Sequence, residues 1–178
     1  MNVIPTSPAL GAEITGIDLS KEVSTADREF IVNAYTKHLV LLFRGQKLSF
    51  DDLLRLRELF GPPGQAANQL LGLGRKAYLP KDAPDDITII SNITDATGKP
   101  IGALGDGEAF WHTDSSFTET PISASLLHAI EVTETGGETG FLDMYKAYED
   151  MPPALAARIN RSEEHTSELQ SRETISYA

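Results

Sequence analysis

The chain contains no cysteine. That excludes disulfides, thiolate nucleophiles and sulfur-ligated zinc or iron–sulfur sites, so any metal has to be held by His, Asp or Glu. Basic residues are also scarce, with 15 Lys and Arg against 26 Asp and Glu, a formal charge of -11 and a pI of about 4.7. A surface of that sign repels nucleic acid and anionic lipid, which leaves a small molecule as the expected partner. No apolar run approaches the length needed to span a bilayer, and the first twenty residues lack the basic start and apolar centre of a secretory signal. The expected compartment is therefore the cytoplasm. Tryptophan occurs once and histidine four times, so a segment that uses both has a claim on function.

What is present is enough for one globular domain, with 178 residues of which 40% are hydrophobic and 23% charged. The stretch "STADREFIVNAYTKHL" offers Ser24 or Thr25 as N-cap and apolar residues at helical spacing, which predicts a helix from about Ala26 to Lys37. "LVLLFRG" reads as a short buried strand ended by Gly45. "SFDDLLRLRELFG" predicts a helix capped by Ser49, with Asp51 and Asp52 in its first turn and Gly61 as its stop. A Gly- and Pro-rich stretch from Gly61 to Pro84 predicts a long loop lying over a site. Strands are expected at Ile87 to Asn92, through "ISASLLHAIEV" and at Phe141 to Asp143, with helical pieces around Pro152 and Pro153. Together these predict an α+β domain with a mainly antiparallel sheet, unfinished near residue 160.

The last eighteen residues, "RSEEHTSELQSRETISYA", break with that pattern. They are polar, without apolar periodicity, and resemble the translation of a sequencing-adapter oligonucleotide. Residues 1–160 are thus expected to be the natural part of a single domain truncated at its C-terminus, and residues 161–178 a non-native tail. His165 and Arg172 belong to that tail and are given no role.

The segment "FWHTDSSF" holds the chemistry. On an extended segment residues i and i+2 share a side, so His112 and Asp114 would offer an imidazole nitrogen and a carboxylate oxygen to one ion while Thr113 points away. Such a donor pair suits Fe(II), Mn(II) or Zn(II), and a third ligand would complete a facial triad with open positions. Alone the His-x-Asp is a weak signal, and a turn in which Asp114 caps a backbone N–H accounts for it equally well.

"FWHTDSSF" followed by "TPISASLLHAIEVTETGGETGFLDMYKAYEDMP" resembles the taurine dioxygenase and 2,4-dichlorophenoxyacetate dioxygenase family of Fe(II)- and 2-oxoglutarate-dependent oxygenases. The resemblance implies a double-stranded β-helix, a jelly-roll of cupin-like form with flanking helices, incomplete here at the C-terminus. It implies His112 and Asp114 as iron ligands and as the catalytic centre. It also implies Thr139 as the hydroxyl that holds the far carboxylate of 2-oxoglutarate and Tyr78 as a substrate contact, with Arg75 and Glu108 at substrate-pocket positions where taurine dioxygenase carries a histidine and an asparagine. These departures argue against taurine itself, and a solvated loop is the alternative reading of all three. O2 is the second co-substrate, and a small anionic organic molecule is hydroxylated with release of succinate and CO2. The family's distal histidine and its 2-oxoglutarate-binding arginine would lie beyond this chain, which is expected to be inactive as it stands. His128 is read as a core or wall histidine and not as a ligand. Self-association of the complete protein is compatible with all of this. Two other readings remain open at this stage, a non-enzymatic jelly-roll binding module and a Zn(II) hydrolase using the same pair.

Overall fold

The computed structural model describes residues 1–62, 83–99, 102–104, 110–116 and 118–160. The chain divides into two compact units, one formed by residues 1–17, 23–45 and 129–178 and the other by residues 18–22 and 46–128.

In the first unit, β1 (Asn2–Pro5) pairs antiparallel with β2 (Ala12–Thr15), in register from Asn2 opposite Thr15 to Pro5 opposite Ala12. The alternation of "AEIT" buries Ala12 and Ile14 on one face of β2. This hairpin has no counterpart among the elements expected from the sequence, because a four-residue alternation is too short to stand out. Helix α1 spans Thr25–His38, one residue longer at each end than its apolar spacing indicates. Ser24 caps it by accepting from the Asp27 amide, and Lys37 and His38 lie where the helix dipole favours positive charge. Its buried residues, Ile31 and Ala34, stand three apart on one face. The chain leaves α1 through Leu39 at φ 64° and returns as β3 (Leu41–Leu42), parallel to β2. A helix between parallel strands is the connection such strands require. The strand expected across "LVLLFRG" is therefore real but pairs over only two residues, and it is not buried as expected, since Leu41 is half-buried and Leu42 exposed.

The same unit ends in α3 (Met144–Glu149) and α4 (Pro153–Ile159). Pro153 opens α4, where its missing N–H costs nothing. Asp143 caps α3 by accepting from the Lys146 amide. That role corrects the strand expected at Phe141 to Asp143, since the residue starts a helix instead. The strand expected through "ISASLLHAIEV" is likewise not formed, and Leu127, Ile130 and Val132 remain 71%, 84% and 77% exposed. β-propensity expresses itself only against a neighbouring strand, and these residues have no strand paired to them.

In the second unit, α2 (Phe50–Arg57) runs into a 3₁₀ turn (Glu58–Phe60) that stops at Gly61, as the sequence indicates. Ser49 and Asp52 form a reciprocal capping box, and the hydrogen bonds from the Ser49 amide and hydroxyl hold the Asp52 carboxyl below its usual range. Arg55 donates through Nη2 to the carbonyls of Leu19 and Lys21 at 3.0 and 3.1 Å, tying residues 18–22 to α2. Among the described residues of this unit, Leu19, Leu56 and Ala83 are the buried apolar ones. Arg57 reaches Asp86 at 2.8 Å.

The strand expected from Ile87 to Asn92 is present only as β4 (Ile90–Ser91), parallel to β5 (Ala103–Leu104). Gly102 precedes β5, and a Cβ placed there would lie 2.6 Å from the Ser91 amide nitrogen and 3.0 Å from the Ile89 carbonyl oxygen. The pairing therefore needs glycine. Gly102→Ala is expected to cost about 1–3 kcal/mol in urea denaturation, the usual range for overpacking; an unchanged midpoint would contradict this strand pairing. Two small sheets, of three and two strands, and helices make the described architecture α+β, and an extended antiparallel sheet is absent among the described residues.

Candidate metal centre

Residues 110–116 carry the site without belonging to a helix or strand. The chain bends at Asp114–Ser116, with Ser115 at φ 57°, and Thr118 fixes the bend by donating to the Ser115 carbonyl through its amide at 3.1 Å and its hydroxyl at 2.7 Å. A left-handed Ser115 is a conformation that L-residues seldom adopt without local support.

His112 and Asp114 lie together at the start of this bend. His112 Nε2 lies 3.2 Å from Asp114 Oδ1, so the two side chains share a side as the i, i+2 spacing predicts, although the segment is not part of a sheet. His112 Nδ1 lies 2.7 Å from the Phe110 carbonyl oxygen. A carbonyl only accepts, so Nδ1 donates to it and Nε2 is the nitrogen that faces the Asp114 carboxylate. Asp114 Oδ2 is engaged separately, accepting from Ser125 Oγ at 3.2 Å.

That geometry suits a cation. Two ligands bound at about 2.1 Å and at right angles are about 3.0 Å apart, close to the observed separation. As an ion pair the contact would do little for stability, because the side chains are 63% and 57% exposed. Among the described residues no group of three His, Asp, Glu or Cys that could hold a metal ion converges, so no third donor joins this pair there. The turn reading of Asp114 is not supported, since both of its oxygens face side chains.

Thr139 lies in the other compact unit, exposed, just after a turn in which Gly136 and Gly137 adopt φ 76° and 75° and Thr133 donates to the Gly136 carbonyl at 2.6 Å. Two successive positive φ values explain the Gly-Gly. His128 is half-buried, its Nε2 3.5 Å from the Gln46 carbonyl oxygen, the outer limit of a hydrogen bond. Arg75, Tyr78 and Glu108 lie outside the described residues, as do the tail 161–178 and most of the loop expected between Gly61 and Pro84. Sequence reasoning missed Ser125 and the Phe110 carbonyl. A serine within the apolar run "SASLL" was the available signal for the first, and nothing signals a backbone carbonyl.

The model of the family described as taurine catabolism dioxygenase TauD, TfdA family matches residues 2–174. The chain belongs to that family. Within the TauD/TfdA family it is 40% identical over 162 residues to pentalenolactone F synthase of Streptomyces avermitilis, covering 88% of this chain and 49% of that protein. It is 32% identical to an alkylsulfatase of Acinetobacter baylyi, over 82% of this chain and 40% of that protein. To the alpha-ketoglutarate-dependent 2,4-dichlorophenoxyacetate dioxygenase of Cupriavidus pinatubonensis it is 27% identical, over 87% and 54%. The chain spans about half the length of the curated relatives it matches. A crystal structure of AAD-2 in complex with Mn(II) and N-oxalylglycine overlaps 40% of this chain and 29% of that one, at 19% identity and a TM-score of 0.36. No helix among the described residues is long and apolar enough to cross a membrane.

Proposed function

We propose that the intact protein is an Fe(II)- and 2-oxoglutarate-dependent dioxygenase that hydroxylates a small anionic organic molecule, and that residues 1–160 form the first part of its double-stranded β-helix. The observation that carries this reading is the 3.2 Å approach of His112 Nε2 to Asp114 Oδ1 in a member of the TauD/TfdA family.

The donor set fits Fe(II), since one imidazole nitrogen and one carboxylate oxygen are two members of a facial triad that leaves positions open. When bound there, iron with 2-oxoglutarate supplies O2 activation, yielding succinate, CO2 and a hydroxylated substrate. The protein's own work is positional. His112 presents Nε2 because the Phe110 carbonyl holds its other nitrogen, and Asp114 presents Oδ1. Thr139 is assigned to the far carboxylate of 2-oxoglutarate, and Tyr78, Arg75 and Glu108 to the substrate. An anionic substrate agrees with the names of relatives that act on 2,4-dichlorophenoxyacetate and on sulfate esters. The third iron ligand and the arginine for 2-oxoglutarate are assigned to polypeptide beyond residue 160, and residues 161–178 to an adapter-derived tail.

The test is 2-oxoglutarate turnover by the complete protein with Fe(II) or Zn(II) as sole metal. Succinate formed with Fe(II) and not with Zn(II) is the expected result. Zinc-dependent hydrolysis without succinate would replace the proposal with a hydrolase, and no metal-dependent reaction of any kind would leave a binding module.

A further inference from the structure

Asp114 has two carboxylate oxygens, and the structure gives them different neighbours. Oδ1 faces His112 Nε2 at 3.2 Å, whereas Oδ2 accepts from Ser125 Oγ at 3.2 Å across eleven residues of sequence. A carboxylate free at both oxygens swings about its last torsion and is able to bind a metal through one oxygen or through both. One hydroxyl on Oδ2 removes that freedom.

We propose that Ser125 is a positioning residue that fixes Asp114 as a one-oxygen metal ligand, directing Oδ1 toward His112 and keeping a coordination position clear. The inference rests on the metal-binding reading of His112 and Asp114. Three features support it. The hydroxyl contacts the oxygen that does not face His112. His112 is held by the Phe110 carbonyl in the same manner, through the nitrogen that does not face Asp114, so each ligand of the pair is held from behind by one hydrogen bond. The bend at Ser115, braced by Thr118, carries Asp114 into this arrangement and is independent of Ser125. Partners of metal ligands placed in this way orient them, and their removal weakens affinity about 10–100-fold.

Trp111 is the chain's sole tryptophan, adjacent to His112 and 73% exposed, and it reports a paramagnetic ion bound there. The experiment titrates Mn(II) alone into the 178-residue chain, reading Trp111 quenching for affinity and water-proton relaxation for the number of waters left on the bound ion. Ser125→Ala is expected to weaken Mn(II) about 10-fold and to lower the relaxation per bound ion, as Oδ2 takes a place otherwise held by water. Ser125→Thr keeps the hydroxyl and is expected to restore both. Equal affinity and relaxation in Ser125→Ala and the parent overturn the inference while leaving the metal site intact, and so does equal weakening by both substitutions. Quenching that persists unchanged in His112→Ala overturns the metal reading and this inference with it, a result distinct from the other two.

Discussion

Replacing His112 or Asp114 by alanine in the complete protein is expected to reduce 2-oxoglutarate-dependent succinate formation to background. The size of the effect follows from the number of ligands. A facial triad offers three, and removing one leaves an ion held by two groups with no preferred geometry. Each substitution also strands its partner. Without Asp114, His112 keeps only its contact with the Phe110 carbonyl, and without His112 the Asp114 carboxylate keeps only its bond to Ser125. Because the pair is exposed and contributes little to stability, circular dichroism and thermal melting should be nearly unchanged in both variants. Full turnover in either variant would end the assignment of these two residues as the iron site.

Ile31→Ala should have the second largest effect, on folding and not on chemistry. Ile31 is 1% exposed and is the largest side chain buried below 2% among the described residues, on the α1 face it shares with Ala34. Truncating such a side chain removes apolar surface from the core and leaves a cavity, with a cost of about 2–5 kcal/mol. Urea denaturation followed by circular dichroism should show a lower midpoint at unchanged slope. Asn33→Ala, on the exposed side of the same helix, should change stability by less than about 0.5 kcal/mol. Similar losses in the two variants would mean that α1 does not bury the face described here.

Helices were legible in the sequence because their ends are local. Ser24 and Ser49 each satisfy an amide three residues on, and Gly61 ends the turn after α2, so the signals sit within a few positions of the structure they create. Strands were legible only where pairing partners exist. "DITIISNI" carries strand propensity over eight residues yet pairs over two, and "ISASLLHAIEV" carries it over eleven and pairs over none. Their propensity is a statement about a neighbour that the described residues do not supply. The N-terminal hairpin shows the converse, four short residues made into β2 by partners on both sides. At the site, the approach of His112 to Asp114 was legible because the two residues lie within three positions. Ser125 was not, because its hydrogen bond to Asp114 depends on how the chain returns after the bend at Ser115.

The most direct test of the central claim is to read the source DNA beyond the codon for Asn160. A frame that continues, and supplies a histidine followed by an arginine in the added half, is the predicted result. It would give His112 and Asp114 their third partner and 2-oxoglutarate its cation. A frame that truly runs as written through Ala178 would leave the pair without the added half that the account requires, and would contradict the dioxygenase account.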